Sequence, residues 1–274
     1  MSDVSDPRTG AGVYIVRLLY EESPRTDHAR WAMDTATRFG GPVEVMGDGD
    51  DAVSADAMGL IFPSEPITFT DGSIPMQVWM LREDPGGTFD LDEDLQQTWD
   101  WPDAADAVAG APAAIAVNDL MASSVEPARR LRVFAAAVAG LIDQAPPRAI
   151  HWWPAQRIVE PAAFLRDVAA DPFAFSTAVN VRNFTIADRD DETVMDTMGL
   201  AKLGLPDVQV QFRGRDLDDM AGRIHGTARY LFDNGDVIED GHTVGVERWV
   251  ARHEVALIDP EREVLDLETR DIPR

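Results

Sequence analysis

The chain has 274 residues, a formal net charge of −25 at pH 7 and 45% hydrophobic residues. That apolar share supports a buried core, which excludes a wholly disordered chain, and the charge excludes a broadly basic nucleic-acid binder, because phosphate contacts need clustered Lys and Arg. Cysteine is absent, which removes disulfides, thiolate metal sites and cysteine nucleophiles together.

Residues 1–12 read as a lead-in. The start Met1-Ser2-Asp3-Val4-Ser5-Asp6 is acidic and lacks the basic and apolar blocks of a signal peptide. Residues 13–20 are apolar on both faces, as a central strand requires. Ser23 and Pro24 offer an N-cap and a first-turn proline to a helix carrying Trp31, Ala32, Ala36 and Phe39, which Gly40-Gly41-Pro42 stops. A short strand at 43–46 leads into the acidic turn Gly47-Asp48-Gly49-Asp50-Asp51. Strands at 59–62 and 76–81 flank a proline-rich excursion. Asp90 and Glu93 have capping-box spacing for a helix that bears Leu91, Leu95 and Trp99 and breaks at Pro102. Residues 113–117 predict a strand. Residues 126–144 predict the clearest helix, with Leu131, Phe134, Val138, Leu141 and Ile142 on one stripe and Pro146-Pro147 at its end. A strand at 149–153 and a short helix at 161–170 follow.

Beyond Asp171-Pro172 the texture changes. Residues 175–186 and 208–212 predict strands. Asp216 caps a helix with Met220, Ile224, Ala228 and Leu231 on one side, closed by Asn234-Gly235. Trp249, Ala251, His253, Val255 and Leu257 alternate as in a half-buried strand, and 264–267 make a last one. Strand pairs mixed with helices predict an α+β protein of mixed, largely antiparallel sheets flanked by helices. A division near 172 gives an N-terminal half, 1–172, and a C-terminal half, 173–274, unless the two form one continuous domain.

Arginine supplies 23 of the 24 basic residues, Lys202 being the single lysine, and aspartate outnumbers glutamate 34 to 15. A GC-rich genome and adaptation to high salt both produce this bias. Residues 133–142, the longest apolar stretch without charge or proline, cover about half of the ~20 residues that span a bilayer. A soluble, cytoplasmic protein that binds neither membrane nor nucleic acid is expected.

No cofactor is expected. Nucleophile elbows, dinucleotide fingerprints and phosphate loops are missing, so no catalytic residue is assigned. An EF-hand loop from Asp48 would need glycine sixth and glutamate twelfth but meets Val53 and Gly59, and one from Asp188 meets Thr193 and Gly199. His242, Glu247 and His253 converge if the chain between them forms a hairpin. Two nitrogens and a carboxylate suit zinc or iron; the same histidines on strands otherwise serve as hydrogen-bonding groups. Trp99-Asp100-Trp101-Pro102 and His151-Trp152-Trp153-Pro154 place indoles in pairs. Each pair either splits between core and surface or forms an exposed patch. In the second case Trp99, Asp100, Trp101, Asp103, Trp152 and Trp153 would bind a protein with a basic surface. These features favour a non-enzymatic protein-binding module, in its sharpest form an inhibitor or immunity-type protein. The alternative is a metal-dependent hydrolase using His242, Glu247 and His253.

Thr197-Met198-Gly199-Leu200, Gly204-Leu205-Pro206-Asp207-Val208-Gln209 and Asp240-Gly241-His242-Thr243-Val244-Gly245 resemble a bacterial family of domains of unknown function (DUF4261-like), most strongly over about 195–274. Trp99-Asp100-Trp101-Pro102 and Val181-Arg182-Asn183-Phe184 are similar to its longer members. The resemblance implies no activity and no catalytic residue. Gly199 and Gly204 bracket a turn, where glycine permits positive φ or a close backbone approach. Pro206 fixes φ before the strand at 208–212, and Asp240-Gly241 is a hairpin signal between Ile238 and Val244. These glycines serve a structural turn or line a binding site.

Overall fold

A computed structural model describes residues 12, 14–46, 56–83, 90–186, 189 and 192–269. The acidic turn at 48–51, together with Asp188, Asp190 and Asp191, lies outside the described residues, as does nearly all of the lead-in. The chain forms two compact units, Val13–Ala178 and Val179–Arg274. Both are α+β and built mainly on antiparallel sheets.

The first unit carries a sheet of order β2-β3-β4-β5-β1-β6-β7, antiparallel throughout. Its strands are β1 (Ile15–Tyr20), β2 (Glu44–Val45), β3 (Ala57–Phe69), β4 (Gly72–Glu83), β5 (Ala113–Leu120), β6 (Ala149–Trp152) and β7 (Arg157–Val159). The doubly apolar β1 lies between β5 and β6. Its alternation sends Val16 and Leu18 to one face and Leu19 to the other. On the first face α1 (His28–Phe39) packs with α4 (Pro127–Gln144), and Trp31 Nε1 donates to the Ala137 carbonyl at 2.9 Å. On the second, α2 (Asp92–Gln96) and α3 (Ala104–Ala109) bring Leu91 and Ala104 to a cluster with Leu19, Ala114, Ala149 and Ile158. α5 (Pro161–Ala170) and α6 (Phe175–Ala178) complete the unit.

Three local expectations change. α1 starts at His28, because the Asp27 side chain accepts the Arg30 amide and caps the helix; Ser23-Pro24 lies upstream of it. The proline-rich excursion is part of a long hairpin: β3 and β4 run to a turn at 70–71, and the register shifts between Phe62 and Pro66, where missing amides interrupt the ladder least. Phe175 opens a helical turn instead of a strand. Asp167 accepts the Thr177 amide and hydroxyl, both at 2.7 Å, so the first unit continues to Ala178 instead of ending near 172.

The second unit carries a sheet of order β11-β12-β13-β10-β9-β8, in which β10 and β13 alone are parallel. The strands are β8 (Asn180–Thr185), β9 (Glu192–Met198), β10 (Asp207–Arg213), β11 (Thr243–Val244), β12 (Trp249–Val255) and β13 (Glu263–Glu268). α7 (Leu217–Asn234) packs on β8, β9 and β10 through Met220, Ile224, Ala228 and Leu231. Among the described residues no helix is long and apolar enough to cross a membrane.

Candidate functional site

The turn between β9 and β10 is built around a buried charge network. Gly199 and Gly204 both take positive φ, +138° and +82°, and the short helical turn Ala201–Leu203 lies between them. Asp207, first residue of β10, accepts the Thr197 hydroxyl and the Leu200 amide, each at 3.1 Å. Asp196 accepts both Arg182 Nε (2.9 Å) and Nη2 (2.7 Å), and also Arg262 Nη2 at 2.6 Å. Arg262 Nε reaches Asp207 at 3.2 Å. All four charged side chains are buried. Burial pushes the Asp207 carboxyl above its ordinary value, against the pull of Arg262 and the Leu200 amide. With its lone pairs and N–H groups engaged, this network holds the Gly199–Asp207 turn in place.

A cavity of about 890 Å³ lies beside α7 in the same unit. Asp216 caps the helix by accepting the Asp219 amide at 2.9 Å, and Gly235 ends it. The helix buries one face on the sheet, while Gly222, Gly226 and Tyr230, at successive i, i+4 positions, border the cavity. The opposite wall is the returning chain, Val237 to Trp249. Glu247 accepts from Arg215 Nη1 (2.6 Å) and Trp249 Nε1 (3.2 Å) and forms an ion pair with Arg223 Nη1 at 3.2 Å. The bond from Arg215 chiefly holds its carboxyl below the usual range. Arg215 and Arg223 also stack on the Trp249 ring, at 5.4 and 5.3 Å from its centre.

The three residues considered as metal ligands are engaged separately. His242 Nδ1 accepts the Glu239 amide at 3.2 Å, Glu247 is the counter-ion of two arginines, and His253 lies between Asp240 (2.8 Å) and Asp236 (3.1 Å). Among the described residues, no group of three His, Asp or Glu side chains is arranged to hold a metal ion. Asp240-Gly241 forms a turn, but Ile238 is not on a strand; the hairpin is β11–β12, with Val244 opposite Trp249. The reason is that Asp240 Oδ1 accepts both the amide and the ring of His253, pinning the turn across β12.

In the first unit the tryptophan pairs split. Trp152 has no exposed surface: its Nε1 donates to the Tyr14 hydroxyl at 2.9 Å and its ring meets Tyr14, Phe134 and Phe164. It therefore leaves the surface set. Trp101 packs on the cluster beneath α2 and α3. Trp99 and Trp153 remain 51% and 40% exposed. Asp100 forms an ion pair with Arg157 and so fastens the loop that carries Trp99 to β7, just after the helical turn that Trp153 begins. Asp103 is exposed at the start of α3. His151 Nε2 lies 2.6 Å from Asp94 and anchors α2, while its Nδ1 is buried without a partner.

The cavity was not anticipated from the sequence, nor was the Arg182–Asp196–Arg262–Asp207 network. Two glycines four apart inside an amphipathic helix were the one available signal, since interior helical glycine is disfavoured. Residues 196–268 match the model of a family described as a domain of unknown function (DUF4261), so the resemblance read from Thr197–Gln209 and Asp240–Gly245 is shown over that segment. No curated protein and no solved structure matches the chain.

Proposed function

We propose that the protein is a binding module that recognises a protein with a basic surface through the acidic, tryptophan-bearing face of its first unit. The observation that carries this reading is the pair of half-exposed indoles, Trp99 and Trp153, on segments joined by the Asp100–Arg157 ion pair. In the segment that carries Trp99, Asp90, Asp92, Glu93, Asp94, Asp100, Asp103 and Asp106 follow one another in sequence, with no Lys or Arg between Arg82 and Arg129; of these, Asp94 is paired with His151 and Asp100 with Arg157. Tryptophan supplies a large contact area at binding hot spots, and guanidinium groups stack well on it. The surrounding carboxylates would steer a cationic partner and reject an anionic one. An inhibitor or immunity-type role against a basic toxin is the form this chemistry fits best.

The test is to isolate partners on the immobilised protein and measure their kinetics against Trp99→Ala, Trp153→Ala and Asp103→Asn. Each tryptophan truncation should speed dissociation, by about 30-fold for a hot-spot loss of about 2 kcal/mol. Asp103→Asn should slow association mainly at low salt. A partner that binds all three variants like the parent protein would rule this surface out.

A further inference from the structure

We infer that the cavity beside α7 is a binding site for a small organic anion with an apolar body, whose charged end is held by Arg248. At about 890 Å³ the cavity falls within the ~300–1,000 Å³ of ordinary ligand pockets. It is built from different residues than the acidic tryptophan face, and its charge is the opposite of what the chain would suggest. Two arginines, Arg223 and Arg248, border it against one carboxylate, Glu247; Glu247 is held by Arg215 and Arg223, and Arg223 is shared with Asp219 on the helix.

Arg248 is the informative residue. In a chain with 49 Asp and Glu against 24 Lys and Arg, its side chain has no carboxylate or other polar partner among the described residues. Its backbone is left-handed, φ +56°, in the β11–β12 hairpin turn, where its amide donates to the Gly245 carbonyl. Non-glycine residues held in that region cluster at ligand clamps, because the surroundings must offset the strain. Arg248 is exposed and borders the cavity, so a ligand lying there has an unpaired guanidinium within reach, and that group suits a carboxylate, sulfonate or phosphate.

The remainder of the wall suits a flat apolar body. A Cβ added at Gly222 or Gly226 would meet nothing within 4 Å, so the helix backbone there faces open space. Tyr230, Val237 and Val244 stand beside it. The Trp249 ring is already covered by two guanidinium groups, which leaves the glycine face as the surface on which a ring or chain would lie.

Two fluorescent probes with the same aromatic body separate the terms: anilinonaphthalene sulfonate, an anion, and phenylnaphthylamine, which is neutral. Both would be titrated into the folded protein well below its melting temperature. The anion should bind at one site and at least ~10-fold more tightly than the neutral probe, despite the net charge of the chain. Arg248→Gln should remove that preference and leave the neutral probe's affinity unchanged. Gly226→Met, which fills the cavity from a helix position with free space, should abolish binding of both without lowering the melting temperature. The inference is overturned if the anion does not bind saturably, if both probes bind equally well to the parent protein, if Arg248→Gln keeps the preference for the anion, or if Gly226→Met leaves binding intact.

Discussion

Gly140 of α4 lies directly against Thr35 of α1: a Cβ at residue 140 would stand 2.5 Å from Thr35 Oγ1 and 2.8 Å from its backbone nitrogen. The close passage lets Trp31 reach the Ala137 carbonyl and seals the helix pair on the sheet. Gly140→Ala would ordinarily favour a helix by about 1 kcal/mol. Here the clash is with backbone as well as side chain, so no rotamer change relieves it. A clash that includes backbone belongs in the upper half of the roughly 1–3 kcal/mol cost of overpacking, so the net effect should be a loss of about 1–2 kcal/mol. A lower urea midpoint at unchanged m-value is expected, and an equal or higher midpoint would show that the helices are not in contact at this residue.

The same substitution at Gly226 should act in the opposite direction. An added Cβ there meets nothing within 4 Å, so only helix propensity and chain entropy change. Gly226→Ala should raise stability by about 0.5–1 kcal/mol. The pair Gly140→Ala and Gly226→Ala, measured side by side in urea, separates a glycine kept for packing from one whose space is left open.

Asp196 receives two guanidinium groups away from solvent. Asp196→Ala would leave both Arg182 and Arg262 buried beside Asp207 with one carboxylate between them. Breaking a buried pair from one side costs about 3–5 kcal/mol, and chemical denaturation should register a loss of at least that size. Little change on replacement would mean that water enters the network freely.

His253 gives a pH dependence with a definite sign. Burial draws its imidazole down, but the bonds to Asp240 and Asp236 outweigh it and hold the pKa above the ordinary 6.5. The His253 amide, and then its ring, keep the Asp240 carboxyl below its usual 3.8. The raised histidine contributes stability that is complete below pH 6.5 and is lost as pH rises through its folded value. The lowered aspartate contributes above pH 3.8, and that contribution is lost as pH falls through its folded value. The turn carrying Gly241 should therefore be held best between about pH 4 and 6.5. An NMR titration should find the His253 imidazole above its ordinary value, moving down in Asp240→Asn. The same midpoint in both proteins would remove the clamp.

Much of the fold follows from short-range physics. β1 has a central place in its sheet because both of its faces are apolar, and α4 and α7 follow from stripes set between local caps, Glu126 and Asp216 at their starts and Gly235 at the end of α7. Those features depend on residues within a turn or two of one another, so the sequence by itself determined them, and with them the α+β class. What it left open needed partners distant in the chain. β9 is hidden in the sequence because Asp196 and Thr197 look like loop residues until Arg262 and Asp207 arrive to satisfy them. Trp152 and Trp153 are adjacent and equally apolar, yet a strand's alternation and a helical turn bury one against Tyr14 and leave the other half exposed. The cavity exists because α7 and the chain from Val237 to Trp249 stand apart at two glycines. Burial of a charge, the side of a strand and the width of a gap are all relations between separate segments, and the tertiary structure alone decided them.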